Sequence, residues 1–372
     1  MDDSDPDLLP EGLEDRLPRA AAAGQRVMRA MLDAMDSHGY DRVVPPLIEF
    51  ERSFAGRMSG IRTRRMFRFV DPASLRTLAL RSDITPQIGR IAETRLANAP
   101  RPLRLCYAGQ VVTIRGDGLD PARERLQVGA ELIGRDSVVA AAEVAALAIE
   151  ALAAAGAIGI SIDFTMPDLV DTLAASALPL AADRIEVVRS HLDAKDAGAL
   201  IAAGGEAYLP LLYGSGPFEE AIAKLAAVDA GGVLATRIAA LREIADRLGT
   251  SARVTLDPSE RHGFEYQSWF GFTLFAEGVR GSLGRGGTYR ITRESGEGEV
   301  ATGFSLYPDG LQAPDTDTAL RETLFLPLDH DRGVASRLRA VGWRTLAALD
   351  GAEDAVALGC THRLVGSEPT RL

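Results

Sequence analysis

The sequence predicts an α+β fold in two parts, and three observations predict it. Two β-rich runs, RPLRLCYAGQVVTI and RERLQVGAELIG, flank the eight-residue stretch RGDGLDPA, whose Gly, Asp and Pro mark a loop between antiparallel strands. A long Ala-rich helix follows from about Ser137 to Ala155, apolar at every turn. A Pro/Asp/Thr-rich linker between Leu311 and Thr318 then divides residues 1–312 from a tail, 319–372, that reads as a small α/β appendix.

From the N-terminus, Leu17 to Ser37 carries Val27, Met28, Met31, Leu32 and Met35 at helical spacing, with Gly39 as a stop. GYDRVVPPLIEF reads as a strand from Asp41 to Val44 halted by Pro45 and Pro46, because a ring without an N–H cannot donate to a central ladder. Such a pair suits a sheet edge or a subunit interface. MFRFVD and LRTLAL are strand-like, and SDITPQIGRIAETRLA opens a helix with Thr85 as candidate N-cap and Pro86 at the first helical position. Beyond the Ala-rich helix, GISIDF is a strand and a region of short helices extends to about Leu248. RVTLDP, YQSWFGFTLFAEG, GSLGRGGTYRIT and VATGFSLYPDGL restore β character up to residue 312, the glycines of GSLGRGGTYR reading as a tight turn in preference to a phosphate cradle, since they do not open a helix. In the tail, ETLFLPL, a helix near Val334 to Val341, WRTLAALD and HRLVGS supply the appendix.

Composition narrows the function. Of 372 residues, 46% are hydrophobic and 25% charged, which is a globular balance, and the net charge of −11 disfavours a broad grip on nucleic acid or anionic membrane. Cys106 and Cys360 are the only cysteines, too few for a disulfide framework and without a C-x-x-C pair for zinc, which fits a reducing cytosol. MDDSDPDLLP lacks an apolar signal core and no stretch is an unbroken apolar span, so a cytoplasmic chain is expected. No phosphate-cradle, zinc-protease or serine-hydrolase motif is present, and no cofactor or metal is expected.

One constellation stands out. Gln127, Gly129 and Glu131 share a face of a period-2 strand, and Asp83 and Thr85 lie at a strand-to-helix junction. Either these are a solvent-facing strand and a helix cap, or they line a polar pocket that receives an amino group and a hydrogen-bonding ring. The arginines at 52, 57, 62, 64, 65 and 68 form a local positive patch that suits a phosphate, RNA or an acidic surface, or a solvated loop.

Taken in order, Leu9-Pro10-Glu11-Gly12, GYDRVVPPLIEF, LALRSDITPQIGRI, CYAGQVV with LQVGAELIG, GRGGTY and ATGFSL resemble the catalytic core of class II aminoacyl-tRNA synthetases. The likeness is strongest to the histidyl enzymes and to their non-synthetase paralogues, the regulatory subunits of ATP phosphoribosyltransferase. It covers residues 9 to about 312. The resemblance implies a class II synthetase-like, largely antiparallel sheet flanked by helices, dimerising through the first helix and its Pro-ended strand.

It also implies a histidine site. Asp83, Thr85 and Gln127 would take the α-amino group of L-histidine and Glu131 the imidazole, with His262, Tyr266 and Gln267 in a segment that in synthetases carries an Arg and two tyrosines; Arg261 lies one place earlier and could substitute. The adenylate chemistry does not carry over: the phosphate-clamping Arg aligns with Thr113 and the adenine-stacking Arg with about Gly310, and a planar cationic fork has no substitute in a hydroxyl or a hydrogen. The tail is too short for an anticodon-binding domain, so tRNA is not an expected partner. What the resemblance implies is a non-catalytic regulatory subunit: a homodimer within a hetero-oligomer, working with a short ATP phosphoribosyltransferase catalytic subunit in the first step of histidine biosynthesis, with L-histidine as feedback effector. A working histidyl-tRNA synthetase and an RNA-binding accessory factor are the competing readings.

Overall fold

The computed structural model describes residues 9–55, 66–116, 121–229, 231–261, 267–292, 298–311 and 322–372. The chain forms two compact units, residues 1–312 and 313–372. In the first, the elements run α1 (Pro18–Ser37), β1 (Asp41–Arg42), β2 (Ile48–Phe50), α2 (Glu51–Ala55), β3 (Arg68–Val70), β4 (Thr77–Leu80), α3 (Thr85–Thr94), β5 (Leu103–Val112), β6 (Glu124–Ile133) and α4 (Val138–Ala154). They continue with β7 (Ser161–Thr165), α5 (Leu169–Ala174), α6 (Ala182–Asp193), α7 (Ala197–Ala202), α8 (Leu209–Leu212), β8 (Gly216–Pro217), α9 (Phe218–Val228), α10 (Ala235–Leu248), β9 (Arg253–Leu256), β10 (Gln267–Phe275), β11 (Gly284–Thr292) and β12 (Gly298–Leu306). A 3-10 turn, Pro308–Leu311, follows.

The main sheet has nine strands in the order β1-β5-β6-β12-β11-β10-β7-β9-β8, antiparallel except for the parallel pairs β1/β5 and β7/β9. β2, β4 and β3 form a separate antiparallel sheet. On the back of the main sheet, Val128, Ala130, Leu132, Phe272 and Phe304 share a core with Val144, Leu147 and Ala148 of α4. That helix is apolar but for Glu143 and Glu150, which is stable only when most of it is covered, and α1, α10 and the sheet cover it. Ser137 caps it, accepting from the Ala140 N–H. On the front, Ile84 and Ile88 from the start of α3 pack with Leu105, Tyr107, Ile133, Tyr289 and Ile291.

Local readings change in five places. β1 stops at Arg42, and the Pro45 and Pro46 carbonyls are held by Arg81 and Gln87 side chains at 3.0 and 2.8 Å. Thr85 is the first residue of α3 rather than its cap; the Asp83 carboxylate receives the Thr85 N–H at 3.0 Å. The glycines of GRGGTY lie inside the nine-residue strand β11, not in a turn. They are small because the sheet is crowded: a Cβ on Gly286 would stand 2.3 Å from the Phe272 ring. The helical region contains one short strand, β8. Finally, Met31, Leu32 and Met35 of α1 are buried in this chain's own core, whereas Val44, Leu47 and Ile48 beside the Pro pair are exposed.

The second unit comprises β13 (Thr323–Leu326), α11 (Arg332–Ala340), β14 (Arg344–Ala347), β15 (His362–Val365) and β16 (Glu368–Arg371), with sheet order β14-β13-β15-β16. Its core is Leu324, Leu326, Val334, Ala335 and Leu364, and Asp331 caps α11. Each unit holds one buried free cysteine, Cys106 in β5 and Cys360 before β15. Among the described residues no helix is long and apolar enough to cross a membrane.

Candidate effector site on the front of the sheet

Cross-strand register builds the site. Glu131 on β6 stands opposite Gly303 on β12, Gly303 opposite Gly287 on β11, and Gly287 opposite Gly271 on β10. A carboxylate therefore heads a row of three glycines on one face of the sheet, a trough where side chains would otherwise stand. Gly303 has no alternative, since a Cβ there would lie 1.5 Å from Glu131 Oε2. In the next row Gly129 faces Ser305, and a Cβ at 129 would lie 2.4 Å from the Tyr107 hydroxyl.

The polar side chains interlock. The Tyr107 hydroxyl donates to Glu131 Oε1 at 3.1 Å and the Tyr289 hydroxyl to Oε2 at 2.7 Å. Tyr107 also bonds Thr85 Oγ1 and Ser305 Oγ at 3.0 and 3.1 Å. Gln127 Nε2 donates to Asp83 Oδ1 at 2.8 Å and to Ser305 Oγ at 2.7 Å, while its Oε1 accepts the Ile84 N–H at 2.9 Å. Gln127 and Glu131 are 0% and 1% exposed, which removes the solvent-facing alternative. Burial drives the Glu131 carboxyl up to about 8 against the two tyrosine hydrogen bonds that pull it down, and the nearby Asp83 charge adds to the rise. The same burial lifts the Tyr107 phenol well above its ordinary range. Glu131 thus holds a proton more tightly than an ordinary glutamate.

Asp83, Thr85, Gln127 and Glu131 are brought together. His262 and Tyr266 lie outside the described residues; Gln267 opens β10 opposite Tyr289, and its side chain is likewise outside the description. Arg261 is turned to other work: its N–H bonds Asp193 at 2.8 Å and its guanidinium lies 3.5 Å from Glu186 of α6. Sequence reasoning missed Tyr107, Tyr289 and Ser305. All three sit inside quoted motifs, Tyr107 in CYAGQVV, Tyr289 in GRGGTY and Ser305 in ATGFSL, and only strand pairing shows that they meet. Of the arginine patch, residues 57, 62, 64 and 65 lie outside the described residues, while Arg68 pairs with Glu51 at 2.9 Å.

At the outer end of the same strands stand Thr113 and Gly310, the positions the resemblance aligns with two synthetase arginines. Thr113 Oγ1 donates to the Arg115 carbonyl at 2.9 Å, a local turn contact. Gly310 sits in the 3-10 turn, where a Cβ would come within 2.8 Å of Val279, and its neighbour Asp309 binds Arg16 at 2.5 Å and the Leu126 N–H at 3.2 Å.

Fold and face together define a chain of the class II histidyl-tRNA synthetase type, and the histidyl-tRNA synthetase family model matches residues 12–311. Two solved structures share the fold: an ATP phosphoribosyltransferase regulatory subunit/histidyl-tRNA synthetase from Bacillus halodurans (TM-score 0.82, 24% identity, 96% of this chain and 97% of that one) and a histidyl-tRNA synthetase from Nostoc (TM-score 0.75, 15% identity, 96% and 91%). ATP phosphoribosyltransferase regulatory subunits from Rhodospirillum centenum and Paramagnetospirillum magneticum are each 42% identical to it, covering 96% of this chain and 95% and 96% of theirs. The chain belongs to the family of ATP phosphoribosyltransferase regulatory subunits.

Proposed function

We propose that this chain is a non-catalytic subunit that senses L-histidine for a short ATP phosphoribosyltransferase catalytic chain, whose reaction opens histidine biosynthesis in the cytoplasm. The observation that carries the reading is the pairing of Glu131 with the glycine trough, together with Thr113 and Gly310 where an adenylate-forming enzyme needs guanidinium groups. In this reading the α-ammonium of histidine is received by Asp83, Thr85 and Gln127, and the imidazole accepts the proton that Glu131 brings. His262, Tyr266 and Gln267 complete the site from the segment leading into β10. An effector that favours one state of the complex over another by about 1 to 3 kcal/mol is enough for feedback control.

Assembly follows the same reading: a homodimer formed around residues 17–50, built into a hetero-oligomer with the catalytic chain. Val44, Leu47 and Ile48, exposed beside a Pro pair that cannot extend a sheet, supply the apolar seam. The deciding experiment combines two measurements on the purified chain. Calorimetry with L-histidine gives saturable binding, and histidine-dependent ATP–pyrophosphate exchange is absent. Exchange activity, or histidine inhibition of the assembled complex that is unchanged by substitution at Glu131, overturns the reading.

A further inference from the structure

A second cleft, of about 250 Å³, lies among α5, α10 and the strands β10, β11 and β12. Thr288 and Arg290 in its wall alternate with Tyr289 along β11, so their side chains lie on the face of the sheet opposite Glu131. The wall carries both signs of charge, with Asp136 and Asp168 against Arg237 and Arg290. Most of these groups are occupied. Asp136 receives the Trp269 indole N–H at 3.1 Å, Ser268 and Thr288 share a hydrogen bond at 2.7 Å, and Arg290 donates to the Gly298 carbonyl at 3.2 Å.

The exception is the ion pair at the rim. Arg237 Nη2 donates to Asp168 Oδ2 at 2.6 Å, which leaves Asp168 Oδ1 and Arg237 Nε buried with no hydrogen-bond partner. An unmet acceptor and an unmet charged donor, side by side, leave each charge short of hydrogen bonds, and the parts of the two side chains that stay exposed, 34% of Arg237 and 24% of Asp168, line the cleft. What answers both charges at once is a molecule with an ammonium and a carboxylate a few bonds apart. The volume is below the roughly 300 Å³ at which sites for drug-sized ligands begin, and the Trp269 indole with Val300 supplies an apolar wall for a short side chain. We propose that this back-face cleft binds a zwitterionic α-amino acid, its ammonium on Asp168 and its carboxylate on Arg237.

The chain has two tryptophans, so Trp343→Phe leaves Trp269, in the cleft wall, as the sole indole reporter. The standard L-amino acids other than histidine are titrated singly into that chain at millimolar concentration, in a Glu131→Gln background that weakens the front site. The expected result is a saturable change in Trp269 emission with at least one of them. The same amino acid with its amino group acetylated, or as its methyl ester, fails to give it. Asp168→Asn and Arg237→Gln each weaken it at least tenfold. Should either variant fail to fold, the blocked ligands on the unsubstituted cleft decide. No response to any amino acid, equal binding of a blocked form, or binding that survives both substitutions overturns the proposal.

Discussion

The inner and outer ends of β5, β6 and β12 are built from the same strands and do opposite things. At the inner end Glu131, Gln127 and Ser305 are packed against missing Cβ atoms and every polar side chain has a partner waiting. At the outer end Thr113 and Gly310 serve the local backbone, and Asp309 ties the chain's beginning to β6. The difference teaches that one sheet can hold a buried polar network at one end while its other end is given to turn and tether contacts. The inner end is a matter of register and glycine; adenylate chemistry needs cationic forks at positions 113 and 310, where this chain has a threonine and a glycine.

The strongest blow to the inner end is Gly303→Ala. Its methyl group would occupy the position of Glu131 Oε2, so we expect a stability loss of about 1–3 kcal/mol in urea denaturation and no measurable histidine binding. Next, Glu131→Gln and Asp83→Ala should each weaken histidine inhibition of the complex ten- to a hundredfold, the equivalent of about 1.5–3 kcal/mol, while the subunit keeps its circular dichroism. Unchanged inhibition curves would move the effector away from this face.

The pH profile sharpens the comparison further. With the Glu131 carboxyl at about 8 and free imidazole near 6.5, the two partners between these values bring one proton in all, the number their bound pair holds. Below about 6.5 binding must expel a proton, and above about 8 it must take one up, so affinity follows a bell that falls about tenfold per pH unit on either limb. Calorimetry across pH checks it, and Glu131→Gln should abolish the alkaline limb. Without ligand the raised carboxyl acts on the fold. The unfolded chain releases this proton near 4.5 and the folded chain only near 8, so stability present at low pH is lost progressively as pH rises between those values. The smallest effect belongs to the outer end: Thr113→Arg should leave histidine affinity within about twofold and create no pyrophosphate exchange, because one fork without the second at position 310 does not make an adenylate site.

How much of this was legible follows from range. The Ala-rich helix rests on neighbours a few residues apart, and it could be read directly. Asp83, Thr85, Gln127 and Glu131 were legible as a set through motif order. Their meaning as a buried network was not, because it depends on Tyr107, Tyr289 and Ser305 arriving from other strands. Glycine misled for the same reason. A run such as GRGG ordinarily marks a turn, and only pairing with β10 and β12 reveals glycines spaced to clear a trough. Asp83 also shows how a local rule slips by two residues: the capping atom was expected on Thr85, and the side chain that does the work precedes it.

The two buried thiols give each unit its own clock. Burial raises both cysteines, Cys106 to about 11, so neither presents a reactive thiolate while its unit is closed. Alkylation must wait for an opening, and one thiol belongs to the nine-stranded sheet and the other to the small unit. Labelling rates followed by mass spectrometry therefore time the opening of each unit within a single intact chain, and a ligand that steadies one alone will slow one label and leave the other running.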